Sequence, residues 1–193
     1  MVSPRSSSTA GRSVLIGGGV RCGKSAFALR RARELGTRRT FIATAQAHDA
    51  DMAERIARHR AERGGEFTTI EAPFDLVETL EALAGADVVV VDCVTLWLSN
   101  LLLRDEGEER ILARVDALAA LLARRRRHTV LVTNEVGMSV VPPSVLGRRF
   151  RDLAGMAHQR LARSADELYF GLLGTILRLR PAPVALATEG AFE

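Results

Sequence analysis

Residues 18–25 restrict the possible folds of this chain more than any other segment. They read Gly-Gly-Val-Arg-Cys-Gly-Lys-Ser, the pattern G-x-x-x-x-G-K-[ST], and they follow a short strand predicted at residues 13–16. Glycines allow the main chain to curl until several N–H groups face one oxyanion, and a helix that begins here adds the positive end of its dipole. The segment therefore predicts a phosphate-binding loop between a strand and a helix.

Each residue type in this loop has a chemical role. Lys24 is predicted to reach the β- and γ-phosphates of a nucleoside triphosphate, and the Ser25 hydroxyl is predicted to ligate Mg²⁺. Cys22 is interpreted as a small filler residue rather than a nucleophile. The other residues predicted to contact phosphate are Gly18, Gly19, Val20, Arg21 and Gly23.

A carboxylate is expected to end a buried strand beside such a loop, where it holds the metal ion or its water. Asp92 fits this position because it follows four consecutive valines. A continuous apolar run of this kind is typical of a central parallel strand covered on both faces. The alternative interpretation is that Asp92 caps the helix that follows it.

Strands and helices alternate along the rest of the chain, which predicts an α/β fold. The predicted class is that of the RecA-like P-loop NTPases, in which helices flank a mainly parallel sheet. Residues 1–12 are predicted to be a disordered tail, residues 13–180 one domain, and residues 181–193 a loose C-terminal tail. Strands are expected at residues 13–16, 39–43, 67–70, 87–92, 128–133, 167–173 and 176–179. Helices are expected at residues 24–35, 49–63, 74–83, 94–103, 108–127 and 144–164.

Composition argues against several classes of protein. The 193 residues contain two cysteines, too few for a disulfide framework, and the N-terminus lacks an apolar signal-peptide core. No run approaches the roughly 18 apolar residues of a membrane span. A cytoplasmic location is therefore predicted. The basic run at residues 124–127 is interpreted as a helix end, and an aromatic content of 5% argues against nucleic-acid binding.

His59 is the candidate nucleophile of the second predicted helix. Helical spacing places it at the edge of a face formed by Met52 and Ile56, with arginines at positions 55, 58 and 60 nearby. A neutral imidazole nitrogen can attack phosphorus, and the arginines could hold a triphosphate. From spacing alone, however, a lone helical histidine is more often structural.

Several segments resemble the bifunctional adenosylcobinamide kinase / adenosylcobinamide-phosphate guanylyltransferase family of cobalamin biosynthesis. Besides the loop, they are residues 42–45 (Ile-Ala-Thr-Ala), 55–60 (Arg-Ile-Ala-Arg-His-Arg), 132–138 (Val-Thr-Asn-Glu-Val-Gly-Met), 150–155 and 159–162. The resemblance extends from about residue 14 to residue 180. His158 departs from it, since Asn is expected there. The roles of Asn134, Glu135 and Met138 stay open between substrate or metal contact and a hydrogen-bonded turn.

The resemblance implies two reactions. A nucleoside triphosphate, ATP or GTP, phosphorylates the aminopropanol hydroxyl of adenosylcobinamide. GTP then transfers GMP to a histidine, which the match places at His59, and the GMP passes to the phosphate to give adenosylcobinamide-GDP. A homotrimer is also implied. The implied nucleotide contacts beyond the loop are Ala43, Thr44, Ala45, Arg60, Ala61, Glu62, Arg63, Glu71 and Asp92, with Ser25 and Asp92 at Mg²⁺.

Two other functions remain open at this point. One is a P-loop small-molecule kinase without nucleotidyl transfer, in which His59 would be a surface residue. The other is a nucleotide-dependent interaction module of the RecA type, which would bind a nucleic-acid polymer with a steep salt dependence.

Overall fold

The computed structural model describes residues 10–47 and 49–186, except for the side chains of Glu62 and Leu186. An eight-stranded sheet runs through it in the order β3-β2-β4-β5-β1-β6-β7-β8. The strands are β1 (Ser13–Gly18), β2 (Arg39–Ala43), β3 (Phe67–Glu71), β4 (Val88–Asp92), β5 (His128–Val132), β6 (Glu167–Leu172), β7 (Thr175–Arg180) and β8 (Ala185–Leu186). The helices are α1 (Lys24–Leu35), α2 (Ala50–Arg63), α3 (Leu76–Ala82), α4 (Val94–Leu103), α5 (Glu108–Ala123) and α6 (Val145–Ser164), and Gly64–Glu66 forms a 3-10 turn.

The sheet separates two apolar cores, as the valines of β4 illustrate. Val89 and Val91 pack into the larger core with Trp97 of α4 and the inner faces of α3, α5 and α6. Val88 and Val90 point to the other side and pack with α1. Successive strand residues face opposite sides of a sheet, so an uninterrupted apolar run is what a strand buried on both faces requires.

Strand direction brings the candidate site residues to one edge of the sheet. β1 pairs in parallel with β5 and with β6, β4 pairs in parallel with β5, and β2 pairs in parallel with both β4 and β3. The carboxyl ends of these six strands therefore lie along the same edge, which is where open α/β sheets bind ligands. β7 and β8 are antiparallel and close the other side of the sheet.

The structure corrects two expectations about element boundaries. Helix α5 ends at Ala123 rather than at residue 127, and Arg125 has a φ of 49°, which a continuing helix excludes. The basic run is therefore a turn, in which Arg124 pairs with Glu81 at 2.9 Å and Arg125 with Asp166 at 2.5 Å. The predicted loose tail after residue 180 contains β8, which pairs with β7.

The ends of the chain lie partly outside the described residues. Residues 1–9 and 187–193, and also His48, are not described. Within the predicted N-terminal tail, the Arg12 N–H donates to His128 Nδ1 at 3.0 Å, so residue 12 is held against β5. Among the helices of the described part, none is long and apolar enough to cross a membrane.

Candidate active site

The predicted phosphate-binding loop connects β1 to α1. Gly18, Arg21 and Gly23 have positive φ angles of 146°, 55° and 88°, a conformation in which neighbouring main-chain N–H groups can face one anion. Gly23 caps α1, so the positive end of the helix dipole lies at the loop. The buried Lys24 is held inside the loop, where its Nζ donates to the Gly19 carbonyl at 2.8 Å. The loop has the geometry that phosphate binding needs.

Asp92 ends β4 beside this loop and is in contact with Ser25. Burial raises the pKa of the Asp92 carboxyl, while a hydrogen bond from Ser25 and the charges of His59, Lys24 and Arg63 act in the opposite direction. The alternative role as a helix cap is wrong, because the residue at the N-cap of α4 is Cys93, whose Sγ accepts from the Leu96 N–H at 3.4 Å. Asp92 is thus free to face the phosphate loop.

A cavity of about 480 Å³ extends from the phosphate loop at the end of β1 to Glu71 at the end of β3. It is the size of cavity that holds a small organic ligand. Nine residues that the sequence nominates for nucleotide binding or catalysis line it, and they come from five separate segments of the chain. They are Lys24, Ser25, Ala43, Ala45, His59, Arg60, Arg63, Glu71 and Asp92.

Helix α2 forms one wall of this cavity. Asp49 caps the helix by accepting from the Met52 N–H at 2.7 Å. The face that lines the cavity includes Met52, Ile56 and His59 at the spacing i, i+4 and i+7 that the sequence predicts. Near the C-terminal end of α2, the Arg63 guanidinium lies 3.9 Å above the Phe41 ring, which anchors the helix to β2 and buries a cation beside the cavity.

His59 also lines a second hollow, of about 510 Å³, on the outer side of the phosphate loop. Arg55, Lys24 and Ser25 border both spaces, so His59 lies at the junction between the loop and the larger cavity. The loop residues Val20, Arg21, Cys22 and Gly23 line only the second hollow. The His59 imidazole and the phosphate loop therefore line the same hollow.

Some nominated residues have other surroundings. Thr44 is fully buried, and its hydroxyl donates to the Cys93 carbonyl at 2.7 Å while accepting from the Cys93 N–H at 2.8 Å. It therefore holds the end of β4 and does not line the cavity. Ala61 is on the exposed side of α2. The Glu62 side chain lies outside the described part of the structure, as does His48.

Sequence reasoning missed several cavity residues. Thr69 lines the cavity two positions before Glu71 on β3, and the alternation of side chains along a strand could have identified it. Asn134, by contrast, was left open by the sequence between a substrate or metal contact and a turn; it lines the cavity, and its side-chain Nδ2 lies 3.6 Å from Cys93 Sγ. Nothing local to the sequence near residue 134 indicates this contact, since it joins the loops that follow β4 and β5.

Ser25 and Asp92 fit a partly hydrated divalent cation. Among residues 10–47 and 49–186, no group of three or more His, Cys, Asp or Glu side chains could enclose a metal ion. Mg²⁺ typically takes one or two protein oxygens, keeps several waters and binds phosphate oxygens. A hydroxyl and a carboxylate in contact beside the loop suit that ion, as P-loop enzymes require.

Comparison with solved structures supports the fold. The chain is similar to the RadB recombinase, with a TM-score of 0.54 and 14% identity over 92% of this chain and 86% of that one. It is also similar to the ATPase domain of a second solved protein, with a TM-score of 0.50 and 11% identity over 91% and 79% of the two chains. At such low identity these likenesses concern the fold alone, and they confirm the predicted RecA-like P-loop class.

Comparison with characterised sequences is more specific. The chain is 43% identical over 171 residues to the bifunctional adenosylcobalamin biosynthesis protein CobP of Pseudomonas aeruginosa, which covers 88% of this chain and 98% of that protein. It is 37% identical over 183 residues to the bifunctional adenosylcobalamin biosynthesis protein CobU of Escherichia coli, and this alignment covers 86% of this chain and 99% of that protein. Residues 14–179 match the family described as cobinamide kinase / cobinamide phosphate guanyltransferase. The resemblance predicted from the motifs is therefore confirmed, and the chain belongs to this family of bifunctional enzymes.

Proposed function

We propose that this chain phosphorylates adenosylcobinamide and then transfers GMP from GTP to the product through a covalent intermediate on His59. The observation that carries the proposal is the position of His59, which borders the phosphate loop and the larger cavity at once. Family membership supplies the pair of reactions, and the geometry supports one nucleotide site that serves both.

In the phosphoryl transfer, the loop N–H groups and Lys24 bind the phosphate chain and neutralise charge on it. The acceptor hydroxyl attacks the γ-phosphorus, the bond to the β,γ-bridging oxygen breaks, and a nucleoside diphosphate leaves. Ser25 and Asp92 would hold Mg²⁺, which neutralises charge on the phosphate oxygens when bound. Transfer of this kind depends mainly on positioning and charge neutralisation.

In the guanylyl transfer, an imidazole nitrogen of His59 attacks the α-phosphorus of GTP. The bond to the α,β-bridging oxygen breaks and pyrophosphate leaves, so the GMP is bound to the ring through a P–N bond. A phosphate oxygen of the phosphorylated corrinoid then attacks the same phosphorus and releases the histidine. The cations of Arg55, Arg60 and Arg63 suit the charge of the phosphates. Glu71, at the far end of the cavity, suits N–H or O–H donors of guanine or ribose.

Labelling with [α-³²P]GTP tests the covalent step. We expect protein-bound label that is lost in acid and stable in alkali, as a phosphoramidate is, and its absence in His59→Ala. The matched control is His128→Ala, which removes a histidine at the opposite edge of the sheet and should keep the label. If the unaltered protein phosphorylates cobinamide from [γ-³²P]ATP or [γ-³²P]GTP but never acquires α-label, the function is that of a small-molecule kinase alone.

The same proposal includes a homotrimer and a cytoplasmic location, both of which follow from the family resemblance and the sequence. Light scattering should give three times the chain mass of 21.0 kDa, and fractionation of the source cells should recover the protein in the cytosolic fraction. A mass of 21.0 kDa in solution would contradict the homotrimer. Recovery of the protein with the membranes would contradict the cytoplasmic location.

A further inference from the structure

The segment that follows β5, residues 134–137, is fastened to the phosphate loop. The Glu135 N–H donates to the Gly18 carbonyl at 3.0 Å, at the point where β1 becomes the loop. The Glu135 side chain turns back, and its Oε1 accepts from the Gly137 N–H at 2.5 Å. A Cβ at Gly137 would lie 2.9 Å from that oxygen, so a larger residue there would displace the Glu135 carboxylate from this hydrogen bond. The carboxylate is therefore held in a defined place beside the loop.

A chain of buried hydrogen bonds leads to His158, whose ring lies beside the other oxygen of the same carboxylate. The Asn134 N–H can only donate, and it does so to Thr95 Oγ1 at 2.6 Å. The Thr95 and Thr133 hydroxyls are 2.9 Å apart, and Thr133 Oγ1 lies 2.7 Å from His158 Nε2. In the arrangement in which Thr95 donates to Thr133, the Thr133 hydroxyl donates to Nε2. With Nε2 accepting, the proton of a neutral His158 ring is on Nδ1, which lies 3.9 Å from Glu135 Oε2.

The neutral form of His158 is the one that burial favours. Burial lowers the pKa of the His158 imidazole, and the nearby charge of Glu135 only partly offsets this effect. Thr95 and Thr133 are buried as well, so the donors and acceptors of this chain are not exchanged freely with water. The Glu135 carboxylate thus accepts a hydrogen bond from the Gly137 N–H at one oxygen and has the His158 ring beside its other oxygen.

Glu135 lies outside the cavity assigned to the nucleotide. That cavity reaches from the loop toward β2 and β3 and includes Asn134 but not Glu135. Three exposed apolar side chains follow the carboxyl ends of β5, β1 and β6 at the same edge of the sheet. They are Met138, Val20 and Leu173, with 82%, 70% and 85% of their surface exposed. β6 is in register with β1 at Gly18 and Gly171, which brings Leu173 to the same edge. Such surroundings suit a large, partly apolar acceptor.

We propose that Glu135 binds the hydroxyl of the corrinoid acceptor during phosphoryl transfer, and that His158 is its positioning residue; the inference rests on the proposed kinase step. The hydroxyl oxygen forms the new bond to the γ-phosphorus, and the bridging oxygen leaves with the electron pair as nucleoside diphosphate. The hydroxyl proton passes to the Glu135 carboxylate and then to solvent. Because this transition state is loose, the carboxylate contributes mainly by orienting the hydroxyl.

Two assays on one protein separate this role from a general loss of structure. Glu135→Gln is measured for phosphorylation of cobinamide with [γ-³²P]ATP or [γ-³²P]GTP and for covalent labelling by [α-³²P]GTP, which needs no acceptor. We expect kcat for phosphorylation to fall about 100-fold or more, with covalent labelling within about twofold of the unaltered protein. The matched control is Glu109→Gln on the exposed side of α5, which should leave both reactions unchanged.

The inference is overturned if Glu135→Gln phosphorylates cobinamide at the normal rate, or if both reactions fall by the same factor. These outcomes differ from failure of the proposed function, in which the unaltered protein itself lacks one of the reactions.

The role of His158 is tested by comparing how its variants change kcat for phosphorylation, the KM for nucleotide and the covalent labelling. We expect His158→Phe to lower kcat for phosphorylation about tenfold to 100-fold through misplacement of Glu135, with the KM for nucleotide and the covalent labelling unchanged. His158→Gln can accept from Thr133 and donate toward Glu135, so it should recover most of kcat. If the Phe and Gln variants behave alike, or if labelling falls in step with phosphorylation, His158 is only a packing residue.

Discussion

The Cys22 sulfur occupies a space beside the phosphate loop that two glycines leave open, and filling that space should disturb the loop. A Cβ at Gly171 would lie 2.5 Å from Cys22 Sγ and 3.0 Å from Ile176 Cδ1, and a Cβ at Gly18 would lie 2.9 Å from the same sulfur. Cys22 is only 5% exposed. Because non-bonded heavy atoms need about 3.5–4.0 Å, Gly171→Ala creates an overlap of about 1 Å that only movement of Cys22 can relieve.

Overpacking of this kind costs about 1–3 kcal/mol. We therefore expect Gly171→Ala to lower the free energy of unfolding by about that amount and to weaken GTP binding, since Cys22 is part of the loop. Cys22→Ala removes the sulfur and leaves its Cβ 3.3 Å from the new methyl carbon. The double variant should therefore recover much of the loss, with a coupling energy of about 0.5–3 kcal/mol.

Urea unfolding measures the stability, and calorimetric titration measures the GTP affinity. Both are applied to the unaltered protein, Gly171→Ala, Cys22→Ala and the double variant. Gly155 in α6 offers a matched control, because a Cβ there would meet no atom within 4 Å. Gly155→Ala should be neutral or stabilising by about 0.5–1 kcal/mol. The reasoning is refuted if Gly171→Ala leaves stability and GTP affinity unchanged, or if the effects of Gly171→Ala and Cys22→Ala simply add.

Two further predictions concern buried ionisable groups. Arg31 donates to both oxygens of the buried Glu167, at 2.7 and 3.1 Å; burial alone would raise the pKa of Glu167, but these hydrogen bonds and the Arg31 charge hold it below its usual value. The ionised Glu167 therefore makes its full contribution to the free energy of unfolding above the unfolded-state pKa of about 4.3. That contribution is lost as pH falls through the folded-state pKa. Glu167→Gln should cost about 2–3 kcal/mol at neutral pH and flatten the acid limb of stability followed by circular dichroism; parallel losses in both proteins on acidification would contradict this. Burial, and then the charge of Asp92, raise the pKa of the Cys93 thiol to about 12. Iodoacetamide at pH 8 should consequently modify Cys93 only after unfolding in urea, as peptide mass spectrometry can show, and labelling of the native protein would argue against it.

Short-range sequence patterns were enough to predict the fold class, the family and part of the candidate site of this protein. The phosphate-binding loop is a contiguous motif, and the strand and helix periods repeat within windows of a few residues, so the α/β P-loop class could be predicted without tertiary information. The same holds for the face of α2 that places His59 beside Met52 and Ile56. The family and the class of enzyme were carried by contiguous motifs as well, and the comparisons confirm both.

Only the tertiary structure decided which side chains meet across the sheet edge. The sequence left Asp92 open between a metal ligand and a helix cap, and the structure excludes the cap because Cys93 occupies that position. The contact of His158 with Thr133 joins residues 25 positions apart, and that of Thr133 with Thr95 joins residues 38 positions apart. Propensity and periodicity act over one or two turns of chain, whereas such contacts depend on strand order and on the register of β5 between β4 and β1. That is why the loop could be predicted from its own residues, and its surroundings could not.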